Sequence, residues 1–278
     1  MIQKNGGIHI ADWRKGKLMR MRASFVFGVA LWAVGMAQGA NILVNGNLDL
    51  TQPVDVGGGF IVPKPASWVN NGSRTNTGAF EDEMSSEPWA GPAPTPVTTD
   101  GSGLPWATGN GCDGLDCAVF FKAFTGNLAT GNLASGHLYQ DVAATAGTTY
   151  TFEGWAGAEA NFVAEEAVFR LLFFNAGDGF IGGVTLDLFA EGLQTPNGQA
   201  FNYKKYSLEA LAPAGTAKVR ALVSFINGYA NPAGGGQAFV VDDFTLDDGS
   251  GGEVPEPATS ALLGAGLAAL ALVRRRRR

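Results

Sequence analysis

From residue 118 onward, short apolar runs alternate with clusters of glycine, asparagine and proline. In residues 148–155, Tyr150 and Phe152 alternate with Thr149, Thr151 and Glu153, the two-residue period of a strand with one buried face. Residues 217–226 place Val219, Ala221, Val223 and Phe225 on one side. Residues 168–174 are apolar on both sides apart from Arg170, which predicts a strand inside a sheet. Further strands are expected at 118–124, 137–142, 180–188, 201–208 and 237–246. Residues 41–50 predict an opening strand with a turn at Asn45-Gly46, followed by short apolar runs at 60–62 and 67–69. Residues 81–111 form a long, polar, proline-rich loop, of the length that is either functional or mobile. The repeat at 126–130 and 131–135 is a local duplication, read as loop. No long amphipathic helix is evident. The pattern predicts an all-β fold, an antiparallel β-sandwich or jelly roll.

The two ends follow other rules. Lys15, Lys17, Arg20 and Arg22 precede an apolar run at 23–36 and the small-x-small site Ala37-Gln38-Gly39. This is a secretory signal, expected to be cut by signal peptidase after Gly39. The apolar run is shorter than the ~20 residues of a spanning helix, so a permanent anchor fits worse. A start at Met19 or Met21 would give a more ordinary leader. At the other end, Val254, Pro255, Glu256 and Pro257 precede an apolar stretch at 258–273, closed by Arg274, Arg275, Arg276, Arg277 and Arg278. The prolines keep the chain around Glu256 out of a helix, extended as a processing enzyme needs. The apolar stretch satisfies its backbone as a helix in lipid, and the arginines hold its end in the cytoplasm.

This tail resembles the PEP-CTERM sorting signal of Gram-negative bacteria, in the order and spacing of all three parts. The resemblance covers about the last tenth of the chain. It implies export by the general secretion machinery and transient tethering in the inner membrane. It also implies cutting by exosortase, a membrane cysteine transpeptidase-like enzyme, and delivery to the cell surface or an extracellular matrix. Substrates of that enzyme are associated with exopolysaccharide and biofilm. A plain single-pass anchor is the rival reading, but it gives no reason for Pro-Glu-Pro. The expected organisation is a signal at 1–39, a β-sandwich domain at 40–248, a flexible linker at 249–253 and a sorting signal at 254–278.

Removing the ends changes the charge. Six of the 19 basic residues precede Ala40 and five follow Val273, while only Asp12 of the 25 acidic residues is lost. The exported part keeps 8 basic and 24 acidic residues, a net charge of −16. Such a surface disfavours nucleic acid and anionic lipid. Cys112 and Cys117 are the only cysteines. In an oxidising compartment a small loop disulfide between them is the default, with a cation bound near Asp113 and Asp116 as a weaker alternative.

A second resemblance lies in the domain. Residues 41–46 are similar to the opening strand of carbohydrate-binding jelly-roll modules. Residues 137–142 and 147–152 are similar to their central strands, and 239–244 to the closing one. The resemblance implies a sugar-binding face and a structural calcium joining the first and last strands. Asp49, Asp242 and Asp243 are the matching positions, Asp49 displaced slightly. Trp89, Trp106 and Trp155 are the candidate sugar-stacking rings, because flat aromatic faces suit sugar C–H surfaces; packing within core or loop is the alternative for each.

Catalysis finds little support. His137 is the only histidine of the exported part, and a structural role is expected for it. No Gly-x-Ser-x-Gly elbow is present. Paired carboxylates, the route of jelly-roll glycosidases, are richest at Glu81-Asp82-Glu83 and Glu165-Glu166, without a glycosidase pattern. The expected function is therefore a non-catalytic, polysaccharide-associated surface or matrix protein. The alternatives are a polysaccharide hydrolase or lyase, or a matrix component without a ligand. Replacing Pro255, Glu256 and Pro257 with alanines is expected to leave export intact and trap the chain in the inner membrane. Mass spectrometry of the mature C-terminus checks this: Arg278 still attached, in a host with active exosortase, would contradict the sorting assignment.

Overall fold

The computed structural model describes residues 40–55, 59, 61–74, 86–89, 93 and 117–250. The chain separates into units 1–36 and 37–278, and the described residues belong to the second. Twelve strands are described: β1 (Thr51–Asp55), β2 (Ile61–Pro65), β3 (Val69–Arg74), β4 (Ser86–Trp89), β5 (Ala118–Phe121), β6 (Ala134–Ala143), β7 (Thr149–Ala158), β8 (Glu166–Phe174), β9 (Phe180–Asp187), β10 (Lys204–Leu211), β11 (Lys218–Gly228) and β12 (Phe239–Asp247). Among the described residues the only helical pieces are three short 3-10 turns. Sheet 1 has the order β10-β7-β12-β5-β4 and sheet 2 the order β3-β6-β11-β8-β9, with β1-β2 as a separate hairpin. Every pairing is antiparallel. The fold is an antiparallel β-sandwich.

The alternation read from the sequence decides which residues meet between the sheets. Tyr150 and Phe152 of β7 and Val219, Ala221, Val223 and Phe225 of β11 are all buried in one core. β8 lies inside sheet 2, between β11 and β9. Aromatic rings fill the middle. Phe121 stacks on Phe239 at 5.5 Å, and Phe162 stacks on Phe239 at 5.3 Å. Phe244 lies against Phe152, Phe169 and Trp68 at 5.4, 5.6 and 5.4 Å. Gly154 makes room for it: a Cβ there would come within 2.3 Å of the Phe244 ring.

The opening segment departs from expectation. Residues 41–50 are not a strand; the turn at Asn45-Gly46 is present within an irregular stretch. Asn45 and Leu48 both have left-handed backbone, with φ of 53° and 59°, which breaks a strand. The segment instead attaches to β12 through a few side-chain and backbone hydrogen bonds. The Asn41 amide donates to the Phe244 carbonyl at 3.0 Å and accepts from the Leu246 N–H at 3.0 Å. The Phe244 N–H reaches the Gly46 carbonyl at 2.7 Å, and the Ile42 N–H reaches Leu246 O at 2.9 Å. Gln140 of β6 brackets Val44, accepting from its N–H at 2.8 Å and donating to its carbonyl at 2.9 Å. The expected strand at 201–208 starts later, at Lys204, because Phe201 and Asn202 each have φ of 54°. The duplication at 126–135 is largely loop, with a single bridge between Asn127 and Asn132 before β6 begins. Within the long 81–111 stretch, β4 is a strand.

Asn41→Ala removes the partner of three backbone groups on Leu43, Phe244 and Leu246. Stranding such groups costs about 1–3 kcal/mol, and each kcal/mol lowers the melting temperature of a domain this size by about 2–4 °C. Thermal unfolding of the exported segment should show that drop; an unchanged midpoint would make the side-chain clasp incidental.

Candidate functional site

The outer face of sheet 1 carries a second, smaller aromatic group of Trp155, Phe120, Phe201 and Tyr203. In β7, Trp155 faces away from Phe152 and Ala156, and it is half-buried. One register row runs Lys205–Trp155–Asp242 across β10, β7 and β12. The next runs Gly157–Val240–Phe120–Glu87 across β7, β12, β5 and β4. Trp155, Phe120 and Phe201 pack as partly buried residues against Ala118, Tyr203 and Val240. Trp89 occupies the register position opposite Ala118 on the edge strand β4, so two of the three expected tryptophans belong to the same sheet. Trp106 lies outside the described residues.

The segment 201–203 crosses this face. It lies so close to β7 that a Cβ at Gly157 would sit 2.4 Å from the Phe201 carbonyl oxygen. Asn197 holds it, donating to the carbonyls of Asn202 at 3.1 Å and Tyr203 at 2.9 Å. Burial, followed by the charges of Asp242 and Asp243, pushes the Tyr203 phenol well above 10. It stays protonated throughout the physiological range. Asp242 is fully buried. Its carboxylate accepts from the Ala93 N–H at 2.8 Å and the Asp243 N–H at 2.7 Å. Lys205 pairs with Glu153 at 2.7 Å on the same face.

The residues expected to hold calcium have partners of their own. Asp49 accepts from the Cys117 N–H at 2.8 Å and from the Asn47 amide, and burial raises its pKa. Asp243 sits with φ of 51° where the register of β12 against β7 shifts between Asp242 and Thr245. Among the described residues no three His, Cys, Asp or Glu side chains group closely enough to hold a metal ion. Cys117 is buried at the start of β5; Cys112, its expected partner, lies outside the described residues.

The outer face of sheet 2 is chemically different. Arg220 binds Asp141 through two hydrogen bonds, of 2.6 and 2.9 Å, and lies 3.8 Å from the centre of the Tyr139 ring. Lys218 pairs with Asp178 at 2.7 Å and Asp141 at 3.1 Å. Burial pushes the Asp141 carboxyl up, but hydrogen bonds from Arg220 and Lys218 outweigh it and hold the group low. Glu166 is paired with Arg170, and Glu165 accepts from the Asn227 amide. These two acids therefore serve local contacts; Glu81, Asp82 and Glu83 lie outside the described residues. His137 is half-buried, in register with Asn71 and Ser224. The buried Ser224 hydroxyl has no hydrogen-bond partner, so it and His137 form no nucleophile–base pair.

Sequence comparison decides what the tail is. Residues 253–278 match the PEP-CTERM protein-sorting motif. The chain carries a PEP-CTERM signal. That signal marks an exported, exosortase-processed protein of a Gram-negative bacterium. Among the described residues no helix is long and apolar enough to cross a membrane, and the tail itself lies outside them. No curated protein matches the chain. Similar solved structures include the enzymatically active domain of bacteriophage CBA120 tailspike protein 4, at 9% identity and a TM-score of 0.43, covering 74% of this chain and 21% of that one. The chain thus spans about a fifth of the tailspike chain's length. Family 16 Carbohydrate Binding Module-2 aligns at 12% identity and a TM-score of 0.32, covering 50% of this chain and 79% of that one. The CBM22-1 xylan-binding domain of Paenibacillus barcinonensis Xyn10C aligns at 8% identity and 0.29, covering 48% and 72%. The ligands in these names belong to those proteins.

The aromatic set around Trp155 was only partly legible beforehand. Alternation along β7 put Trp155 on the outer side. Phe120, Phe201 and Tyr203 join it through strand register and a left-handed turn, for which the local sequence carries no periodic signal.

His137 generates a pH prediction. Burial, and secondarily the Arg170 charge, hold its imidazole below the ordinary 6.5. The unfolded chain then binds the proton more readily than the folded one. The stabilising difference is complete above pH 6.5 and is lost as pH falls through the folded pKa. The urea midpoint should drop between pH 7 and pH 5 in the parent and stay nearly flat in His137→Asn; equal slopes would contradict this.

Proposed function

We propose that the mature chain is a non-catalytic surface or matrix protein that holds polysaccharide on the outer face of sheet 1. The observation that carries this reading is Trp155, half-buried beside Phe120 and Phe201 on a sheet face. A flat ring packed against a buried cluster presents apolar area without the entropy cost of ordering a long side chain. The exposed polar group nearby is already oriented, Lys205 by Glu153.

Charge narrows the ligand. The exported part carries −16. On this face Lys205 is neutralised by Glu153, and Lys122, just past β5, by Glu87. An anionic polymer would meet paired cations beside a buried carboxylate, which is unfavourable. The reading is therefore for an uncharged polysaccharide. Loss of Trp155 should cost at least about 1.4 kcal/mol of binding, roughly tenfold in affinity.

Affinity electrophoresis of the mature chain through gels containing neutral or uronate-rich polysaccharides tests this. Retardation by at least one neutral polymer, lost in Trp155→Ala with little change in melting temperature, is the expected result. Binding that survives Trp155→Ala would move the site elsewhere, and release of new reducing ends would make the protein an enzyme.

A further inference from the structure

The strand that completes the sandwich is the last one described, and it ends almost at the sorting signal. β12 lies in the interior of sheet 1, between β7 and β5. It supplies Phe239, Val241, Phe244 and Leu246 to the core. It also receives the opening segment through Asn41 and Gly46. Until Asp247 has left the translocation pore, sheet 1 lacks an interior strand, β5 and β4 are separated from β7, and the opening segment lacks its bonds to Phe244 and Leu246. The PEP-CTERM match begins at residue 253, only five residues (248–252) beyond the end of β12. Folding and tail processing therefore become possible at nearly the same moment and at the same end of the domain.

The connection is short for a body of this size. Eight peptide steps separate Asp247 from Pro255, at most about 28 Å if fully extended and about 16 Å on average for a glycine-rich coil. The first steps do not run straight. The Gly249 N–H folds back to the Asp247 carboxylate at 2.8 Å, and the Ser250 N–H to the Asp248 carboxylate at 2.9 Å. A compact domain of about 200 residues has a radius of gyration of about 17 Å, so it is at least as large as the tether's usual reach. A folded domain on this tether stands against the membrane surface, and the enzyme must take the motif from beneath it. An unfolded chain imposes no such limit, because its residues upstream of 247 are themselves extensible.

We propose that exosortase acts on this chain after the sandwich has folded, and that the reach of residues 248–252 sets the rate of tail removal. The inference rests on processing by exosortase and not on the polysaccharide reading. Deleting 249–252 leaves four peptide steps between Asp247 and Pro255, about 14 Å at full extension. In the folded chain the deletion should obstruct delivery of the motif; in an unfolded chain it should matter little.

The test is a pulse-chase of the full chain in a host with active exosortase, reading tail loss by gel shift and mass. Four chains are compared: the parent, the 249–252 deletion, Phe244→Asp, and both together. Phe244 is buried among Phe152, Phe169 and Trp68, so its substitution by aspartate prevents folding, which protease sensitivity verifies. A fifth chain replaces 249–252 with four alanines and keeps the length. We expect the deletion to slow cleavage at least tenfold in the parent and less than twofold in the Phe244→Asp chain, and the alanine chain to match the parent. Equal slowing in both backgrounds, no slowing in the parent, or a slow alanine chain would each overturn the proposal. No cleavage of the parent would instead overturn exosortase processing itself.

Discussion

The sandwich depends on the break in β12 that turns Phe244 inward. Phe239 and Val241 face the core, Asp242 faces outward, and an irregularity between Asp242 and Thr245 resets the phase so that Phe244 and Leu246 face the core again. A one-residue slip in a strand sends every later side chain to the other face; here a bulge supplies the slip deliberately. It also frees the Phe244 N–H and carbonyl from β7, and the opening segment takes both, through Gly46 and Asn41. Gly46 is needed there, since a Cβ would stand 2.2 Å from the Phe244 oxygen. One irregular position thus fixes the ring against which Phe152, Phe169 and Trp68 pack and fastens the opening segment to the last described strand.

Elsewhere, side chains bond where strands cannot. β4 and β3 are the edge strands of different sheets and share no ladder. The buried Lys64 ammonium of β2 donates to the Ser86 carbonyl at 2.9 Å, the Ser86 hydroxyl donates to Asn70 at 2.6 Å, and Asn70 donates to the His137 carbonyl at 3.1 Å. This chain of contacts ties β2, β4, β3 and β6 across the open side. A buried ammonium is costly unless it is hydrogen-bonded, so the relay stabilises only while each member stays in place. Such polar seams specify a unique closure where apolar packing would permit sliding.

Strands such as β7, β10 and β11 were legible because each has a buried and a less buried side, and a period of two records that. The phase jump in β12 was written in the sequence too: apolar residues at 239 and 241, then at 244 and 246. The early strands were less legible. β1 reads Thr-Gln-Pro-Val-Asp and has no buried face to impose alternation. β4 contains Pro88, which a sheet edge tolerates and an interior strand does not. The opening segment looked like a strand because Ile42, Leu43 and Val44 are β-formers. It is not one because Asn41 and Gln140 satisfy its backbone with side chains, making a continuous ladder unnecessary. The neighbouring acids Asp242 and Asp243 suggested a cation. Asp242 accepts from the backbone N–H groups of Ala93 and Asp243 inside the protein, a role that composition does not distinguish from metal binding.

The two outer faces differ because the protein has few cations to distribute. Of the eight basic residues in the exported part, Arg170, Lys218 and Arg220 lie on sheet 2, each against a carboxylate. There, Arg220 covers the Tyr139 ring, so the aromatic surface is engaged by the protein's own guanidinium. On sheet 1, Lys205 is drawn to Glu153, one register step from Trp155 on β10. Trp155 is only partly buried, and like Phe120 and Phe201 it packs against the buried cluster of Ala118, Tyr203 and Val240. In an acidic protein, an aromatic ring left free of its own cations is the surface that can meet an uncharged ring without displacing an ion pair. That difference, more than the number of aromatic residues, is what the proposed polysaccharide face on sheet 1 rests on.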